Sequence, residues 1–157
     1  MLGSQRRPTS VPYVPAPHAY FLGNTPTVNT ASSFWLVDAG ASHHVSMDLQ
    51  NLASHSKYDD IDEITVGNGN NLNITHTSST HLSSSSKSFL LSNVLCVPSM
   101  QRNLLSVSQF CTTNNASIEF FHDCFVVKDL QTGAILLRES LKGGSYEYHP
   151  LPPPNQF

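Results

Sequence analysis

Hydrophobic positions along the chain fall in short runs that favour β-strands over helices. Residues 34–37 form an apolar run that ends at Asp38, a pattern typical of a buried strand that feeds a loop. Residues 89–91 and 94–97 form another apolar pair, which Pro98 stops. Three further short runs predict a terminal meander, over residues 118–121, 125–128 and 134–137.

A β-hairpin is predicted around residues 67–70. The preceding run, 61–66, alternates imperfectly between apolar and polar residues, and the following run, 72–75, alternates cleanly. Between them lie Asn68 and Gly69, and Asn-Gly between two such runs is a strong hairpin signal. Both residues accept positive φ, so the sequence predicts a tight turn with positive φ at each of them.

One short helix is predicted, within residues 103–112. Leu104, Val107 and Phe110 fall on one face at helical spacing, which fits one or two turns. Elsewhere the short strands recur about every 8–12 residues, a spacing typical of small barrels and sandwiches. The predicted fold class is therefore all-β, as a small barrel or sandwich.

Proline content predicts the domain limits. Residues 1–32 carry prolines in every window and are predicted to be a disordered linker, because proline removes backbone donors and blocks helix and central strand. The folded domain is predicted over residues 33–137, with 113–137 as its last strands. Residues 138–157, which include three consecutive prolines, are predicted to be a C-terminal tail.

Composition narrows the functional classes. The 157 residues carry a net charge of −3, and charged residues make up 12%, against about 25% in typical domains. A weakly acidic chain is not expected to bind nucleic acid directly. No apolar run approaches the ~20 residues of a membrane span, and the opening residues lack the pattern of a signal peptide, so we expect an intracellular, cytoplasmic protein without membrane contact.

Asp38 is the most informative candidate for chemistry. A carboxylate at the end of an apolar strand is desolvated unless it is paired, and Gly40 beside it permits close backbone approach. The alternative is a structural aspartate that begins a turn. One carboxylate alone cannot hydrolyse a peptide by acid–base chemistry, since one group must activate water while another donates a proton. A catalytic Asp38 therefore needs a partner from a second copy of the chain.

Metal and cysteine chemistry have weaker support. His43 and His44 are adjacent, so in an extended segment they point to opposite faces, which does not suit a shared metal ion. The three cysteines, Cys96, Cys111 and Cys124, are widely spaced and read as small buried apolar residues. We therefore expect no metal and no cofactor.

Taken together, the motifs resemble the protease segment of copia-type LTR retrotransposon polyproteins. Residues 34–45 are similar to the family pattern Trp-x-x-Asp-Ser-Gly-Ala-Thr/Ser-His-His. Further blocks follow in the family's order: Val-Gly-Asn-Gly at 66–69, Leu-x-Asn-Val-Leu-x-Val-Pro at 91–98, Asn-Leu-Leu-Ser-Val from 103, and the stretch toward the pre-integrase region at 127–133 and 144–146. The resemblance covers about residues 33–149.

The resemblance implies a retropepsin-like aspartic endopeptidase that processes its own Gag-Pol polyprotein. In such a homodimer each chain supplies one lobe, a small retropepsin-like β-barrel over residues 33–137, and one catalytic aspartate, here Asp38, to act on a polypeptide substrate. By position, Ala39, Gly40 and Ala41 form the active-site loop, and the hairpin tip, Gly67, Asn68 and Gly69, is the candidate flap over the cleft.

This chain differs from the family pattern at residue 39. The family has Ser or Thr there, and its hydroxyl hydrogen-bonds across the dimer interface, whereas Ala39 has no donor. Loss of a buried hydrogen bond costs about 1–3 kcal/mol, and twofold symmetry counts it twice. Ala39 is therefore predicted to weaken the dimer and reduce catalysis. The alternative function is a non-catalytic β-barrel remnant that acts as a scaffold or a peptide-binding module.

Overall fold

The computed structural model describes residues 34–49, 52, 54–58 and 63–152, and these residues are mainly strands. The predicted linker at 1–32 and the last residues of the predicted tail lie outside them. The elements in chain order are β1 (Trp35–Asp38), β2 (Val45–Ser46), β3 (Ser54–Lys57), β4 (Glu63–Thr65), β5 (Asn71–Asn73), β6 (His76–Ser83), β7 (Ser88–Cys96), β8 (Asn103–Ser106), α1 (Val107–Asn114), β9 (Ala116–Phe120), β10 (Cys124–Asp129), β11 (Ile135–Ser140) and β12 (Glu147–Tyr148). The all-β prediction is confirmed.

A seven-stranded sheet in the order β12-β1-β8-β2-β7-β6-β3 forms the body of the molecule. Next to its edge strand β12, β1 runs parallel to β8, with Asp38 in register with Ser106. Parallel strands need a long crossover connection, and here the chain between them builds β2 to β7. This pairing brings the end of the Asp38 strand next to a segment far away in the sequence.

A β-bulge lets strand β7 keep its apolar residues in the core. Ser78 of β6 faces Val94 and Thr80 faces Leu91, so two residues of β7 oppose one residue of β6. Asn93, one of these two, has a φ of 54°. Because the extra residue shifts the alternation by one, residues on both sides of it remain buried in the main core: Phe89, Leu91, Val94 and Cys96.

The helix is shorter at its start than the sequence predicted. Residues 103–106 form strand β8 instead of a helical turn, because they pair with β1 on one side and Val45 of β2 on the other. The helix then spans Val107–Asn114, with the Ser106 side chain accepting from Gln109 N as N-cap. Asn115 ends it in the left-handed region, at a φ of 49°.

The predicted terminal meander is present as a three-stranded antiparallel sheet of β9, β10 and β11. The domain, however, continues beyond residue 137, where the sequence placed a tail. β11 runs to Ser140, and β12 pairs antiparallel with β1, with Trp35 opposite Tyr148. Tyr148 is 1% exposed and packs edge-to-face on Phe89 in the main core.

A second, smaller apolar cluster lies apart from the main core. Val45, Leu95 and Val97 are its buried members, and Ile64 and Leu72 of the β4–β5 hairpin pack against them. The hairpin is thus attached to the sheet through the face of β2 and β7 that the main core does not use. Among the described residues no helix is long and apolar enough to cross a membrane.

Candidate active site

Asp38 is the last residue of β1 and its carboxylate folds back on its own loop. Asp38 Oδ1 accepts a hydrogen bond from Gly40 N at 2.7 Å. A Cβ at residue 40 would lie 3.3 Å from the same oxygen, tighter than ordinary contact. The absence of a side chain at Gly40 therefore allows the carboxylate and the turn to approach this closely.

The start of the helix holds the loop that follows Asp38. Ser106 Oγ donates to Ala41 O at 2.7 Å, and Gln109 Nε2 donates to Ser42 O at 2.8 Å. Both donors lie within the first turn of α1 or at its cap. Two carbonyls of the loop thus have partners in a segment that parallel pairing places beside Asp38.

His44 lies beside the Asp38 loop, and the sequence assigned it no role there. The adjacent His43 is exposed, as expected for neighbours on opposite faces, but His44 is completely buried. Its Nδ1 accepts from Ser106 N at 3.0 Å, whereas its Nε2 has no hydrogen-bond partner. Burial, with a smaller effect of nearby His43, lowers the pKa of His44 to about 4. In an extended segment, one of two adjacent histidines points inward and the other outward, but the sequence does not say which.

The loop after Asp38 and the β4–β5 hairpin face each other across one groove of about 680 Å³. Of the residues predicted for the site, Asp38, Gly40, Ala41, Gly67 and Asn68 line this groove. Ala39 and Gly69 are exposed beside lining residues. The sequence did not identify the apolar part of the lining, which comes from Leu36, Val45, Ile64, Leu72, Met100 and Leu104.

The hairpin tip is a three-residue loop, not the predicted two-residue turn. Gly69 N donates to Val66 O at 2.8 Å, and Val66 N donates to Asn70 O at 2.9 Å. Gly69 has the predicted positive φ, at 83°, but Asn68 does not. Instead Asn68 Oδ1 accepts from Asn70 N at 2.9 Å, so its side chain stabilises the turn without left-handed backbone.

The remaining titratable groups form no second centre in the part of the chain that is described. There, no three His, Cys, Asp or Glu side chains come together in a way that would hold a metal ion. Burial raises the pKa of the thiols of Cys96, Cys111 and Cys124, which disfavours the nucleophilic thiolate. The groove beside Asp38 is therefore the candidate site.

Comparison with known proteins gives a consistent match. Residues 35–116 match the family model described as "Pol polyprotein, beta-barrel domain". The chain is 41% identical over 146 residues to the Retrovirus-related Pol polyprotein from transposon RE2 of Arabidopsis thaliana. The aligned residues cover 92% of this chain and 10% of that protein. It is 43% identical over 118 residues to the corresponding polyprotein from transposon RE1 of the same plant, which covers 75% of this chain and 8% of that protein.

The chain thus spans about a tenth of the length of these curated relatives. No solved structure matches it significantly.

Proposed function

The chain belongs to the family of Pol polyprotein β-barrel domains, as a copia-type retrotransposon segment, and on this premise we propose that it is one half of a dimeric aspartic endopeptidase. Its substrate would be an extended polypeptide, namely segments of the polyprotein that contains it. Asp38 is the proposed catalytic residue, and residues 67–69 are the proposed flap.

One observation carries the proposal: Asp38, at the end of an interior strand of the sheet, lines the same groove as the tip of the β4–β5 hairpin. A carboxylate on a rigid sheet opposite a hairpin is an arrangement that can hold an extended peptide between them. The apolar lining from Leu36, Ile64 and Leu104 offers room for an apolar substrate side chain. Backbone groups at the hairpin would bind the peptide main chain.

The proposed mechanism needs two copies of Asp38. Two carboxyl groups at ~3 Å hold one proton between them, because both cannot ionise at that separation. The ionised carboxylate takes a proton from water as the water oxygen bonds to the substrate carbonyl carbon, and the protonated partner donates to the carbonyl oxygen. The carboxyl that took the water proton then gives it to the amide nitrogen as the C–N bond breaks, and the other carboxylate takes a proton from a hydroxyl of the tetrahedral intermediate. An acid and an amine are released, and the pair again holds one proton.

Ala39 favours a second candidate function, peptide binding without cleavage. A chain that lacks the hydroxyl at residue 39 keeps the groove but loses a donor that the family places at the dimer interface. A monomer has one Asp38 and can bind a peptide without hydrolysing it. Solution mass separates the two candidates, because only a dimer assembles two carboxylates.

The test combines sedimentation with a cleavage assay at about pH 5, where two carboxylates can share one proton. Synthetic peptides with apolar residues at their centre are the probe, and mass spectrometry identifies the products. Asp38→Asn is the matched control, since it preserves shape and removes the acid–base group. Cleavage that disappears in Asp38→Asn supports the endopeptidase. Peptide binding by a monomer with no cleavage supports the second candidate, and absence of both overturns the site.

A further inference from the structure

The loop between β1 and β2 needs partners from outside itself. Residues 39–43 belong to no strand, so strand pairing does not account for their backbone groups. Within the loop the described contacts are local: Gly40 N donates to Asp38 Oδ1, and Ser42 Oγ hydrogen-bonds His43 Nδ1. These short-range bonds do not fix residues 41–44 on the sheet, and Gln109 Nε2 of α1 supplies one longer-range bond, to Ser42 O.

Ser106 contacts this loop at two separate points. Its hydroxyl has a single proton, which it donates to Ala41 O at 2.7 Å. Its backbone N–H donates to His44 Nδ1 at 3.0 Å. Ser106 is fully buried and is held on the sheet by its register with Asp38. The middle and the end of the loop are therefore tied to one rigid position.

The hydrogen bond from Ser106 N to His44 Nδ1 requires one protonation state of the His44 ring. Because Nδ1 accepts the Ser106 N–H, its ring proton lies on Nε2. The backbone of His44 is held as well, since His44 O accepts from Leu95 N at 2.9 Å. A protonated ring would place two donors against each other at Nδ1, and burial opposes that state.

We propose that Ser106 and His44 are positioning residues that hold the Asp38 loop in its working shape within a single chain. The inference rests on the proposed function of Asp38, but the tether itself does not require a dimer. It follows that Ala39 weakens the association of two chains without disturbing the geometry of the loop in each. The chain then keeps a formed half-site even as a monomer.

The experiment measures hydrogen exchange at the Gly40 amide. This amide donates to Asp38 Oδ1, so its exchange depends on the shape of the loop. Hydrogen exchange is followed by NMR at neutral pH in Ser106→Gly, His44→Leu and His44→Asn. Glycine is tolerated as an N-cap, so Ser106→Gly removes the hydroxyl with little effect on the helix. Asparagine keeps an acceptor at the position of Nδ1. Asn114→Ala is the control, because Asn114 hydrogen-bonds Leu90 and Phe110 away from the loop.

We expect Gly40 exchange to rise about tenfold or more in Ser106→Gly and His44→Leu, relative to core amides of β7, and to stay near wild type in His44→Asn. In the control, Asn114→Ala, exchange of core amides is expected to change, but Gly40 exchange is not expected to rise beyond it. The nitrogen shifts of the His44 ring are expected to show the Nε2–H form. Where peptides are cleaved, kcat is expected to fall with KM little changed.

Gly40 exchange that rises only in step with the core would overturn the tether, as would an Nδ1–H ring. These readouts need no cleavage, so they remain decisive if the protein proves inactive. A tethered loop in a protein that never cleaves would refute the proposed function and leave this inference standing.

Discussion

At the scale of single residues, the surroundings of Asp38 are made of short polar contacts from one chain. Gly40 N, Ser106 Oγ and the His44 ring each have a defined partner around the loop. The exposed Ala39 has no side-chain polar group and thus cannot add to them. Residues 44 and 106 therefore bear on contacts within one chain, whereas the role of residue 39 belongs to the proposed dimer.

Ala39→Ser is expected to strengthen the proposed dimer. The serine hydroxyl restores the donor that the family places across the interface, and symmetry makes it act twice. We expect dimer affinity to rise by about 2 kcal/mol, or about thirtyfold, in sedimentation equilibrium. Peptide cleavage should rise with it and disappear when Asp38→Asn is added. A repaired chain that stays monomeric at high concentration contradicts the dimeric endopeptidase.

His44 is expected to make the protein less stable in acid. Its pKa falls from 6.5 to about 4 on folding, so between these values the unfolded chain binds a proton that the folded protein does not. The stability due to the neutral ring is complete above pH 6.5 and is lost as the pH falls toward 4. The loss amounts to about 3 kcal/mol.

Urea unfolding at neutral and acid pH measures this loss. His44→Asn removes the imidazole at residue 44 that titrates in this range, so the free energy of unfolding of this variant should fall less between the two conditions. His81→Asn, at an exposed position of β6, is the control and should keep the wild-type dependence. If the free energy of unfolding fell equally in acid in all three proteins, other titratable groups would be the cause.

At the scale of elements, the bulge in β7 depends on a residue that accepts left-handed backbone. Asn93 has a φ of 54°, which costs a β-branched residue about 1–2 kcal/mol. Asn93→Val should lower the free energy of unfolding by that amount, and Asn93→Gly should leave it nearly unchanged. Asn73→Val, at an exposed strand position without positive φ, is the matched control. Equal stability of Asn93→Val and Asn93→Gly would show that the bulge relaxes.

The β4–β5 hairpin also requires left-handed backbone, at Gly69. Its φ is 83°, and a Cβ there would meet nothing within 4 Å, so any penalty is backbone strain alone. Gly69→Val should open the turn at a cost of about 1–2 kcal/mol, and Gly69→Asn should cost less. Faster hydrogen exchange at the amides of residues 66 and 69, with weaker peptide binding, is the expected result. Unchanged exchange in Gly69→Val would place the turn elsewhere.

At the scale of the whole molecule, the last strand closes the main core. Tyr148 is 1% exposed, packs on Phe89, and donates from its hydroxyl to Leu82 O at 3.4 Å. Tyr148→Ala should therefore destabilise the fold by about 3 kcal/mol or more, measured by thermal or urea unfolding. Leu151→Ala, at a residue that is 50% exposed, should have little effect. A small effect of Tyr148→Ala would show that the domain ends before β12.

Local patterns in the sequence were sufficient for the strand content, the terminal meander, the positive φ at Gly69 and the position of Asp38 at the end of an apolar run. Each of these depends on residues close together in the chain, where alternation and turn chemistry act directly. The family followed from the order of several such motifs, which the match over residues 35–116 agrees with. The catalytic role of Asp38 remains a prediction.

Only the tertiary structure decided the features that depend on distant partners. Residues 103–106 became a strand because β1 and β2 flank them, although their own spacing also fits a helix. Tyr148 joined the core because β1 needed a partner at its other edge. His44 is buried, and Ser106 reaches Ala41, because parallel pairing aligns Asp38 with Ser106. Such pairings are set by which surfaces meet when the chain closes, and no local period records that choice.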